Sequence, residues 1–96
     1  MNRQQALNVL SSNKAECCQR FGVERLALFG SFARDSATHT SDVDILVSFD
    51  GRANSDRYFG LQFYLEDLLG RPVDLVTDKA LRSELRPFIE REKIDV

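Results

Sequence analysis

Ser41-Asp42-Val43-Asp44-Ile45-Leu46-Val47-Ser48-Phe49 is the stretch that decides how this chain folds. From Val43 onward the residues alternate as an extended strand requires. Val43, Ile45 and Val47 take one side, and Asp42, Asp44, Leu46 and Ser48 take the other. Aspartate is a poor strand former, yet two aspartates open the strongest strand pattern in the sequence. Residues two apart on a strand project from the same face, about 6–7 Å apart along the chain. Side by side, two carboxylates repel and raise each other's pKa unless positive charge intervenes. A hard divalent cation is the usual remedy. On the solvent face of an edge strand, Asp-x-Asp needs no such role, so the pair has to be weighed with its surroundings.

Outward from this strand, Asp50-Gly51 signals a turn and the polar stretch to Ser55 a loop. Ser55 or Asp56 can cap a helix over Arg57 to Leu69, with Gly70 past its end. Pro72 opens a short strand to Val76, where a missing N–H donor is tolerated. Beyond Asp78 the pattern predicts a helical turn and a last helix with Pro87 in its first turn, then a frayed or edge-strand tail, Ile94 to Val96. In the other direction, Arg25 to Phe29 reads as a short buried strand ended by Gly30-Ser31. Phe32-Ala33-Arg34 reads as a helical turn, followed by a polar loop from Asp35 to Ser41. Ala6, Leu7, Leu10, Cys17 and Phe21 mark an amphipathic helix from Arg3 to Phe21, stopped by Gly22. The order helix, strand, strand, helix, strand, helix predicts an α/β fold, a small mixed β-sheet flanked by helices. With no linker, repeat or low-complexity segment, residues 1–96 are expected to form a single domain.

At 96 residues the chain has room for one modest core. No apolar run approaches the ~20 residues needed to span a bilayer, and Met1 to Leu10 lacks the pattern of a secretory signal. A cytoplasmic location and no membrane partner are therefore expected. The net charge of −2 argues against stable nucleic-acid binding, which normally needs a basic face, but leaves room for one nucleotide. Cys17 and Cys18 are chain neighbours, expected as packing or surface thiols in a reducing compartment.

Asp74, between Val73 and Leu75, taken alone reads as a surface carboxylate. If its strand lies beside that of Asp42 and Asp44, all three meet on one face and suit a two-metal site. Gly30-Ser31 after a strand lets the backbone approach a phosphate, with N–H groups and a positive dipole end in the following turn. The Ser31 hydroxyl adds a donor. Arg34, one turn on, can meet phosphate charge or stand as an exposed structural arginine. His39 reads as a solvated loop histidine and Glu90-Arg91-Glu92-Lys93 as a solvated charged face. Tyr58, Phe59, Leu61, Phe63, Tyr64, Leu65, Leu68 and Leu69 make their helix apolar around more than one face, which makes a partner surface plausible.

Gly30-Ser31, ten residues, then Asp42-Val43-Asp44 resembles the signature of the DNA polymerase beta-like nucleotidyltransferases. Leu28-Phe29-Gly30-Ser31-Phe32-Ala33-Arg34 with Ser41-Asp42-Val43-Asp44-Ile45-Leu46 resembles the minimal nucleotidyltransferase branch in particular. Phe32 departs from it, standing where a polar or basic residue is common. The resemblance implies that the Gly30-Ser31 turn holds the triphosphate, with Arg34 from its own position added as a nucleotide-binding residue, and that Asp42, Asp44 and Asp74 are the catalytic, metal-binding residues. It also implies ATP as substrate, Mg²⁺ as cofactor (two ions) and a role as antitoxin. The partner implied is a HEPN-domain toxin, to whose tyrosine AMP is added. Two alternatives are an antitoxin that neutralises its partner by binding alone, and a nucleotide-binding regulator.

Overall fold

The computed structural model describes all residues from 1 to 96. Helix α1 (Arg3–Phe21) starts on a reciprocal cap. The Asn2 side chain accepts from the Gln5 N–H and the Gln5 side chain accepts from the Asn2 N–H, both at 2.9 Å. It stops at Gly22, whose φ of 69° is a left-handed conformation that a side chain would strain. Strand β1 runs from Val23 to Phe29, two residues earlier than the sequence pattern suggests, with a bulge between Val23 and Arg25. The four-residue turn of helix α2 (Gly30–Ala33) follows, and then β2 (Val43–Phe49). Helix α3 (Ser55–Leu69) is capped by Asn54, whose side chain accepts from the Arg57 N–H, and neither Ser55 nor Asp56 is the cap. Strand β3 (Val73–Thr77), a 3₁₀ turn, α4 (Arg86–Glu92) and β4 (Ile94–Asp95) complete the chain. The tail is thus an edge strand.

The sheet order is β3-β2-β1-β4. β1 is antiparallel to both β2 and β4, while β2 and β3 are parallel and joined through α3. Period-two alternation gives each strand one side for α1 and α3, where Leu28, Val43, Ile45, Val47 and Leu75 meet Leu10, Leu61 and Leu65. Each leucine so enclosed contributes about 1.5–3 kcal/mol. The opposite side holds a small cluster of Ala27, Leu46 and Ile89, the last from α4. It leaves the start of β2 and β3 open.

Two devices hold the layers in register. The Arg57 guanidinium donates to the carbonyls of Phe21, Asp50 and Arg52 at 2.8–2.9 Å and pairs with the Asp50 carboxylate. It thereby clips the ends of α1 and β2 to the start of α3. Along the outer edge of β3, the Tyr58 hydroxyl donates to the Leu75 carbonyl, and the Gln62 amide to that of Val73 at 3.1 Å. Glu66 accepts from the Val73 N–H at 2.9 Å. These α3 side chains satisfy an edge that would otherwise invite another strand. The expectation of a helix apolar on more than one face resolves into a buried row, Leu61, Leu65 and Leu69, and an exposed stacked pair, Phe59 and Phe63.

Candidate active site

The parallel register of β2 and β3 places Asp44 directly beside Asp74. Neither aspartate contributes to the core face. Asp44 is half-buried and Asp74 exposed, and they are close enough that one carboxyl, when protonated, donates to the other. Burial, then the charge of Asp74, then that of Asp42, push the Asp44 carboxyl up to about 6, against a smaller opposing pull from Arg34. Asp42 lies one residue ahead of β2 and is exposed. As the side chains are placed, no three acidic, histidine or cysteine residues gather closely enough to ligate one ion. Asp44 and Asp74 form the pair, with Asp42 alongside.

The Gly30-Ser31 turn is brought to this pair by antiparallel pairing, because Phe29 is the register partner of Asp44. Gly30 has φ of 73°, and a Cβ built on it would overlap the Asp44 carboxylate. Two independent constraints, backbone conformation and closeness, therefore require glycine here. The Gly30 N–H donates to Glu92 Oε1 at 2.9 Å, and Glu92 Oε2 accepts from Arg34 Nη1 at 2.8 Å. Ser31 follows half-buried, at the first turn of α2, where N–H groups lack intrahelical partners.

Of the residues singled out in the sequence, Gly30, Ser31, Arg34, Asp44 and Asp74 surround one open shelf, and Asp42 borders it. His39 is exposed in the loop beyond. Glu92 corrects the reading of Glu90-Arg91-Glu92-Lys93 as merely a solvated face. It is only partly exposed and holds both the turn and Arg34. No local pattern marks it, because it reaches Gly30 from 62 residues away through the return of α4. Arg71, also missed, donates to three carbonyls of the loop before Asp42.

A cavity of about 370 Å³ lined by Arg25, Ser48, Phe49, Thr77 and Lys79 opens at the far end of the sheet. It contains neither the paired carboxylates nor the glycine turn, which lie at the opposite end. An open shelf of acidic side chains beside the first turn of α2 suits a polyanion that arrives with its own cations.

Comparison with known proteins bears on the family and the fold. The family model of the nucleotidyltransferase domain matches residues 10–96. The protein adenylyltransferase MntA of Thermococcus cleftensis is 40% identical over 89 residues, which is 93% of this chain and 90% of that protein. A solved structure assigned to the minimal nucleotidyltransferases superposes with a TM-score of 0.79 at 35% identity, covering 100% of this chain and 97% of the other. The fold also recurs, at 20% identity and a TM-score of 0.60, in a complex of a tri-AMPylated HEPN toxin with its MNT antitoxin from Shewanella oneidensis. There the match covers 98% of this chain and 67% of the other. The chain belongs to the nucleotidyltransferase domain family, in its minimal, MntA-like branch.

Proposed function

We propose that the chain transfers AMP from ATP to a hydroxyl of a partner protein, a tyrosine of a HEPN toxin, and so acts as its antitoxin. The observation that carries this reading is the pairing of Asp44 with Asp74, against a turn whose Gly30 admits no side chain. The name of the Thermococcus relative and the AMPylated toxin of the Shewanella complex support the donor and the acceptor. In this reading residues 1–96 work as one domain in the cytoplasm.

The donor set is carboxylate oxygen alone, which fits Mg²⁺, and the raised Asp44 carboxyl marks a place where positive charge is wanted. Asp42, Asp44 and Asp74 would hold the metal, two ions in all. Bound there, Mg²⁺ would neutralise triphosphate charge and polarise the α-phosphate. Ser31 donates its hydroxyl to a phosphate oxygen, and Arg34 adds a guanidinium at the mouth of the turn. Asp74, exposed on its strand, orients the acceptor hydroxyl and takes its proton. The hydroxyl oxygen bonds to the α-phosphorus, the bond to the β-phosphate oxygen breaks, and pyrophosphate leaves. Such transfer depends on positioning and charge neutralisation, so these few groups suffice.

The test is to incubate the chain with a HEPN-domain toxin, ATP and Mg²⁺, and to measure intact masses. Each transfer adds about 329 Da to the HEPN protein. A stable complex with no added mass would favour neutralisation by binding alone, and modified tRNA in the same mixture would overturn the protein acceptor.

A further inference from the structure

Arg71 lies outside every motif, yet it contacts the loop before Asp42 and the ring that follows Ser31. It sits in the turn before β3, three residues ahead of Asp74. Its Nη1 donates to the carbonyls of Thr38 at 3.1 Å, His39 at 3.2 Å and Ser41 at 3.3 Å. Its guanidinium carbon stands 5.2 Å from the centroid of the Phe32 ring, which is buried and directly follows Ser31. One side chain therefore links the strand of Asp74, the loop that ends at Asp42 and the turn that carries Ser31.

The loop needs such an anchor. Thr38, His39 and Thr40 are exposed, and the internal bonds between Thr38 and Ser41 close a single tight turn. On its far side Asp42 is fixed by the strand, through the Val43 N–H bonded to the Pro72 carbonyl at 3.0 Å. On its near side the fixed point is the Ser41 carbonyl, held by Arg71. A guanidinium can donate from Nη1 to converging carbonyls while its plane rests over a ring, a combination that a compact, strongly hydrated lysine ammonium reproduces less well. Phe32 thus supplies the face on which the guanidinium rests.

We infer that Arg71 is a positioning residue, which sets Asp42 against Asp44 and Asp74 and thereby the affinity for ATP with its Mg²⁺. The inference rests on the proposed function. It is tested with Arg71→Lys, which keeps the charge and most of the stem. Amide hydrogen exchange is followed over residues 36–42, and ATP binding is titrated calorimetrically in Mg²⁺ and in EDTA. Exchange should quicken in that loop and stay unchanged in α1 and β1. ATP affinity in Mg²⁺ should fall about tenfold, the usual cost of losing support behind a metal ligand, with the weak binding in EDTA unaltered. A looser loop with unchanged affinity in Mg²⁺ would make Arg71 merely structural and overturn the inference. Unchanged exchange, or an equal loss with and without Mg²⁺, would also overturn it. A parent chain that binds no ATP in Mg²⁺ would defeat the functional reading, and the inference with it, a result visible without the variant.

Discussion

Replacing Asp44 by asparagine removes one of two paired carboxylates while keeping its shape. The rise of its carboxyl from 3.8 to about 6 corresponds to about 3 kcal/mol of penalty on the ionised folded state, at roughly 1.4 kcal/mol per pH unit. Asp44 is only half-buried, and solvent screening reduces this to about 1–2 kcal/mol. The sign follows from the direction of the shift. An acid whose folded pKa exceeds its unfolded value weakens the fold where it is ionised, and the penalty fades as pH falls through 6 toward 3.8. In EDTA at pH 7.5, Asp44→Asn should melt about 4–16 °C above the parent, given about 4–8 °C per kcal/mol for a domain of this size. The gap should close as the pH is lowered to 4. Adding ATP and Mg²⁺ should then raise the melting point of the parent but not of the variant, which should transfer no nucleotide. Thermal scans across pH, with and without ATP and Mg²⁺, measure all of this. An Asp44→Asn protein that melts at or below the parent in EDTA, or a gap that widens on acidification, would refute the assignment of Asp44 as a crowded carboxylate.

Ser31→Ala should lower kcat/KM for ATP by roughly 5- to 150-fold, the loss of a hydrogen bond worth about 1–3 kcal/mol to a charged group. A defect as deep as that of Asp44→Asn would give Ser31 another role. Gly30→Ala should abolish transfer and lower stability by about 1–2 kcal/mol through left-handed strain alone, and a variant with parental kinetics would show that the turn does not press on Asp44. Glu92→Gln keeps an oxygen for the Gly30 N–H but frees the Arg34 charge. The KM for ATP should therefore fall by up to about fivefold, in line with a partly exposed ion pair of about 0.2–1 kcal/mol, and a rise in KM would mean that the turn needs the Glu92 charge.

Some of this protein is written locally and can be read in one dimension. The alternation from Val43 to Phe49, the glycines that end α1 and α3, and Pro87 in the first turn of α4 each act over a few residues, through steric and hydrogen-bonding preferences that the chain carries with it. Gly30-Ser31 and Asp42-Val43-Asp44 are equally local, so the family resemblance was visible before any fold. The start of β1, the cap at Asn54 and the final edge strand were less legible, because pairing partners and the approach of the chain decide where such elements begin. Only the tertiary structure settles what stands beside what. Parallel pairing through α3 sets Asp74 at the level of Asp44, since a slip of one residue would turn its side chain to the opposite face. The return of α4 delivers Glu92 to the Gly30 N–H, and the turn before β3 delivers Arg71 to the loop before Asp42. Those contacts join residues tens of positions apart. Their partners are backbone N–H and carbonyl groups, which every residue but proline offers in full, so no residue type announces them in advance.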